Sequence, residues 1–268
     1  MKLLDCHTHF FPDENAARYV KMIEENCGIK ARSDGRLSSQ IANMDKEGVA
    51  LSVNAPVTMN PEKVGKVNRM MVEFNKKQHR VISFGSMHPK YGNYGDFGEE
   101  IKFLADSGIK GIKMHPEYQD FYPDDGIMKG IYEACIKNNI IVMFHSGADA
   151  AYDFYSTHGT PKRMAQVAET YKELKLILAH LGGFRMWDGV YRNLVGKNVY
   201  LDTALAFELD DEGMKNIITE HGVDRILFGS DYPWGGPLET KQRIEKIIEK
   251  EEDREKIFHL NAEKMLKI

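Results

Sequence analysis

Eight short apolar runs, each followed by a stretch with helical spacing, limit most narrowly how this 268-residue chain can fold. The runs fall at residues 2–9, 49–53, 81–87, 109–114, 140–144, 175–179, 199–203 and 225–229. Residues 140–144 (Ile-Ile-Val-Met-Phe) are apolar without alternation, as suits a parallel strand covered on both faces. Helices are predicted over 61–77, 94–107, 126–137, 160–171, 185–195, 210–221, 238–249 and 253–265. Before them, a helix starts near Pro12 and another covers 38–47, which Gly48 closes. Residues 29–39 between these two read as an irregular excursion over one mouth of the fold. A parallel return needs a crossover of a dozen or more residues, which these helices supply. Eight such units, with no glycine-rich dinucleotide fingerprint after the first strand, predict an α/β fold, a closed (β/α)8 TIM barrel. No linker or low-complexity segment interrupts the pattern, so residues 1–268 are expected to form one barrel domain.

Charge and cysteine content narrow the function. Lys and Arg number 36 against 40 Asp and Glu, for a formal net charge of -4, without the basic excess of a nucleic-acid binder. The three cysteines, Cys6, Cys27 and Cys135, are odd in number and lack CxxC spacing, which argues against a disulfide framework. With no signal-peptide core and no membrane-length apolar stretch, a cytoplasmic protein without a membrane partner is expected.

In a barrel of this kind, chemistry gathers at the carboxyl ends of the strands. Six of the ten histidines fall at that edge: His7 and His9 after the first strand, His88 after the third, His115 after the fourth, His145 after the fifth and His180 after the sixth. Lys113 lies on the fourth strand and Asp231 ends the eighth. His79, His221 and His259 fall on or beside predicted surface helices, and His158 in a loop. Residues two apart on a strand project to one side, so His7 and His9 can present both rings to one point. Together with His145 and Asp231 they make a mixed nitrogen and oxygen set suited to one divalent ion, zinc first, with manganese, iron or cobalt as neighbours in ligand preference. A cation there would bring the pKa of a bound water towards neutrality. Asp231 would then carry the proton, and His180 would orient the water or polarise a carbonyl.

The segments Asp5-Cys6-His7-Thr8-His9, Gly111-Ile112-Lys113-Met114-His115-Pro116, Phe144-His145-Ser146-Gly147, Ala179-His180-Leu181-Gly182-Gly183, Phe228-Gly229-Ser230-Asp231-Tyr232-Pro233 and Asn261-Ala262-Glu263-Lys264-Met265-Leu266 follow one another along nearly the whole chain. In these segments the chain resembles the amidohydrolase superfamily, specifically its amidohydrolase-2 branch of aminocarboxymuconate-semialdehyde decarboxylase-like hydrolases and decarboxylases. The resemblance implies one catalytic metal on His7, His9, His145 and Asp231, with His180 beside it. Some superfamily members bridge two metals with a carboxylated lysine on the fourth strand. For Lys113 the favoured reading is instead a charged group that binds a substrate carboxylate or braces the site. The branch often forms dimers, so a homodimer is among the expectations.

Other residues keep two readings. His115 is a substrate contact or a structural histidine, and Arg185 holds an anionic substrate or is an ordinary surface arginine. Tyr232 and Trp234 line the pocket or pack in the core. Residues 118–125 form a lid or a long connection, while Cys6, placed opposite His7 by strand alternation, packs. The leading functional expectation is a metal-dependent hydrolase acting on an amide, lactone or related carbonyl in a small molecule, anionic ones included. The alternative is a non-oxidative metal-dependent decarboxylase of an aromatic or unsaturated carboxylic acid, and a non-catalytic metal-binding barrel stands third.

Overall fold

A computed structural model describes residues 1–268. The strands are β1 (Leu4–Thr8), β2 (Leu51–Asn54), β3 (Val81–Ser83), β4 (Gly85–Ser86), β5 (Gly111–Met114), β6 (Ile141–Phe144), β7 (Leu176–Leu178), β8 (Tyr200–Asp202) and β9 (Ile226–Leu227). They pair in parallel and in sequence order, as a sheet of β1 to β3 and a sheet of β4 to β9. The architecture is the predicted (β/α)8 barrel. Its third strand, expected to run unbroken, is interrupted at Phe84. Asn75 takes both backbone groups of Ser83, accepting from its N–H at 2.7 Å and donating to its C=O at 2.9 Å, so those groups are lost to the ladder. At the other seam no ladder forms, but the Cys6 N–H donates to the Phe228 C=O at 2.8 Å and the Asp231 N–H to the His7 C=O at 2.8 Å. The two ends of the chain thereby meet along one side of the ring.

Two apolar layers follow from strand alternation. Ile112, Met114, Val142, Phe144, Leu176 and Leu178 face outward and pack under the helices. Leu4, Cys6, Val53, Phe84, Ile141, Met143, Ile177 and Leu227 fill the interior. Cys6 corrects the sequence reading. Cys6 follows Leu4 into the inner layer by ordinary alternation, and the register between β1 and β2 slips by one residue between Asp5 and Thr8, a bulge after which His7 also turns to that side.

The carboxy-terminal helix is also less regular than its periodicity predicts. A π-helical segment, Lys256–Leu260, separates Glu251–Glu255 from Asn261–Leu266. Such a segment frees a carbonyl from the helix ladder, and here the Ile257 C=O accepts the Phe228 N–H at 3.0 Å. His221, expected on the surface, is buried at the end of the helix Asp211–His221, with Nε2 against the Val199 C=O at 2.9 Å.

Residues 118–125 are pinned as a connection. A short helix, Pro116–Gln119, begins them, Phe121 is buried, the Tyr132 hydroxyl donates to the Pro123 C=O at 2.6 Å, and Arg163 pairs with Asp124. No helix is long and apolar enough to cross a membrane.

Candidate metal centre

The ends of six strands deliver the polar residues to one mouth. Glycine at 229 keeps the approach open, since a Cβ there would lie 3.1 Å from the His7 Cβ and 3.3 Å from the Asp202 Cβ. Gly147 has a left-handed φ of +88°, and a Cβ on it would sit 2.2 Å from the Phe184 nitrogen. His180 (φ +60°) and Asp231 (φ +63°) adopt the same left-handed region without being glycine, at a cost of order 1 kcal/mol each. Strain of this kind persists where surrounding contacts over-determine the backbone.

His7, His9 and Asp231 come together. His9 Nε2 lies 2.9 Å and His7 Nε2 3.3 Å from Asp231 Oδ1, and the two imidazole nitrogens are 3.2 Å apart. Although buried, Asp231 Oδ1 receives no well-directed hydrogen bond from either ring. Burial alone would raise the Asp231 carboxyl, but the adjacent His7 and His9 hold it well below the usual carboxylate range. Lys113 Nζ donates to His7 Nε2 at 3.1 Å, and burial pushes this ammonium down to about 8.

His145 groups with His115 and Asp149 instead, and reaches His7 through His180: His145 Nδ1 is 3.0 Å from His180 Nε2, and the rings of His180 and His7 are 5.3 Å apart. The outer contacts of these rings fix their tautomers, because a carbonyl or carboxylate oxygen only accepts. His7 Nδ1 faces Asp202 Oδ2 at 3.0 Å, His180 Nδ1 faces the Ala204 C=O at 3.1 Å and His145 Nε2 faces the Ala148 C=O at 3.0 Å. Each of those nitrogens carries the proton. In neutral imidazoles the inward nitrogens, His7 Nε2, His180 Nε2 and His145 Nδ1, are then lone pairs, and two of them face each other at 3.0 Å. Inward lone pairs beside a carboxylate oxygen without a donor are the donor set a divalent cation requires. The residues fit the metal.

Two carboxylates in this arrangement are absent from the predicted set. Asp202, at the end of β8, orients His7 by its side chain and also accepts the His180 N–H at 2.9 Å through Oδ1. The strand-end rule that singles out the histidines applies to it equally. Asp149, four residues after His145, lies 3.4 Å from His115 Nε2 and has no periodic signal.

His115 is buried in a three-ring stack, with Tyr118 on one face (centroids 3.8 Å, 9°) and His145 on the other (4.1 Å, 13°). Burial and the adjacent His145 lower it to about 3. His115, His145 and Asp149 form a second group whose nitrogen and oxygen atoms lie within 4.8 Å of one another. His88 stays on the rim as a cap, its Nδ1 accepting the Lys90 N–H at 3.1 Å.

The guanidinium of Arg185 is committed to Glu208, through Nε at 2.7 Å and through its Nη2. The Tyr232 ring is buried away from the cluster, with its hydroxyl 3.4 Å from the Ser39 C=O. Trp234 is nearer, its ring edge-on to His9 at 5.7 Å.

The amidohydrolase family model, of the type numbered 2, matches residues 4–268. The chain belongs to this family. No curated protein matches this chain. Several solved structures do, over nearly the full length of both chains. A 2,6-dihydroxybenzoate decarboxylase from Rhizobium is 18% identical with a TM-score of 0.74, covering 100% of this chain and 99% of its own. A 5-carboxyvanillate decarboxylase from Novosphingobium aromaticivorans, with bound manganese and 3-methoxy-4-hydroxy-5-nitrobenzoic acid, is 16% identical with a TM-score of 0.75 and coverages of 100% and 97%. A dihydroxybenzoic acid decarboxylase from Polaromonas, with manganese and the inhibitor 2-nitroresorcinol, is 18% identical with a TM-score of 0.73 and coverages of 99% and 97%. At these identities the likeness establishes the fold of this chain.

Proposed function

We propose that this amidohydrolase-family protein is a divalent-metal-dependent decarboxylase that releases carbon dioxide, without oxidation, from an aromatic or unsaturated carboxylic acid. The observation that carries the reading is the likeness, over the whole chain, to decarboxylases of hydroxylated benzoic acids, two of them holding manganese. That likeness reverses the order of the sequence reading, in which hydrolysis stood first. The ligands in this reading are His7, His9, His145 and Asp231, and the ion is manganese or zinc, both suited to imidazole and carboxylate donors.

When bound, the cation supplies positive charge that orients the acid and withdraws electrons from it. Lys113, a buried ammonium beside His7, offsets the charge of an anionic substrate. Asp231 takes the substrate's own acidic proton and returns it to the ring or alkene carbon as the bond from that carbon to the carboxylate breaks, so that carboxylate plus one proton become the C–H product and carbon dioxide. His180, with Nδ1 fixed on the Ala204 C=O, holds its Nε2 lone pair towards the same point.

Incubating the manganese-loaded protein with a panel of hydroxybenzoic acids, lactones and amides in ¹⁸O-water tests the assignment. Carbon dioxide release from a hydroxybenzoic acid is the expected result. Incorporation of ¹⁸O into a cleaved lactone or amide, with no acid decarboxylated, returns hydrolysis to first place.

A further inference from the structure

Asp5 is 1% exposed, in the strand that carries His7. Its Oδ1 accepts the His7 N–H at 3.2 Å and the Ser230 N–H at 3.0 Å, and its Oδ2 accepts the Ser230 hydroxyl. The Ser230 Oγ in turn accepts the Tyr232 N–H at 3.1 Å. One carboxylate thus ties the backbone of His7, near the start of the chain, to the residues on both sides of Asp231, near its end. No β ladder joins β1 to β9, and Asp231 itself is left-handed. Backbone hydrogen bonds from Cys6 to Phe228, from Asp231 to His7 and from His9 to Tyr232, with one bridge of Thr8 to Tyr232, close the seam, and the Asp5 carboxylate adds a side-chain tie to them.

We propose that Asp5 is a positioning residue for the metal: it fixes the spacing of His7 from Asp231 across the seam and so sets cation affinity without touching the ion. The inference rests on the metal reading given above. Ser230 is its relay. A buried carboxylate that receives three donors has little freedom to turn, and partners that orient ligands in this way are commonly worth about 10–100-fold in metal affinity.

The experiment is manganese binding to chelator-stripped protein, read by competition with a chromophoric chelator, with the melting temperature of each stripped form measured alongside. Asp5→Ala is expected to weaken manganese by about 10–100-fold and Ser230→Ala by less. Asp5→Asn, whose amide oxygen still accepts the two backbone N–H groups, is expected to recover part of the loss. Val72→Ala, which trims the outer core far from the seam, controls for stability and is expected to bind as the parent does.

Manganese affinity of Asp5→Ala within about two-fold of the parent overturns the proposal, as does an equal loss in Val72→Ala at a matched melting temperature. Should Asp5→Ala fail to fold, Ser230→Ala decides in the same way. A parent that takes up no cation defeats the metal reading first, and this inference with it.

Discussion

Asp231→Asn is expected to lower turnover by at least about 100-fold, the lower part of the range for removing a positioned proton carrier. The substitution keeps the shape of the side chain and one oxygen, but it discards the negative charge of the carboxylate that His7 Nε2 and His9 Nε2 face at 3.3 and 2.9 Å. Two functions are lost together: a ligand becomes weaker, and the group that takes and returns a proton can no longer do so. Steady-state kcat measured at saturating manganese separates them. Restored metal occupancy with kcat still depressed identifies the proton step, whereas kcat within a few-fold of the parent removes Asp231 from the mechanism.

The second large effect concerns the ion. Stripping the protein with a chelator is expected to reduce turnover to background and to lower the melting temperature, with both restored by manganese or zinc but not by magnesium. A ligand at 100 times its Kd stabilises by about 2.7 kcal/mol, which for a chain of this size corresponds to a fall of about 5–10 °C on removal. The shift should be large here because the bound cation relieves the confrontation of His145 Nδ1 with His180 Nε2 at 3.0 Å. A melting temperature that does not respond to the chelator would mean that these rings share a proton.

Where the sequence reading succeeds, the reason is local. Strands buried on both faces carry uninterrupted apolar runs, as 140–144 does, and a histidine or aspartate just past such a run stands at the carboxyl rim whatever else the chain does. His7, His9, His115, His145, His180 and Asp231 are all found there. What escapes the sequence depends on partners far along the chain. The bulge in β1, where Asp5 pairs with Ser52 but Thr8 with Asn54, breaks the alternation that would set Cys6 and His7 on opposite sides, and no residue in β1 announces it. The break at Phe84 comes from Asn75 on the preceding helix. Arg185 is claimed by Glu208, on a different loop. Asp5 and Asp202 resemble strand-end polar residues until the structure reveals which nitrogens they face.

Anomalous diffraction at the manganese edge, from crystals of the metal-loaded protein, tests the central claim most directly. The account predicts one peak per chain, about 2.0–2.3 Å from His7 Nε2, His9 Nε2, His145 Nδ1 and an Asp231 oxygen. No peak at that point, or a peak confined to His115 and Asp149, would contradict it.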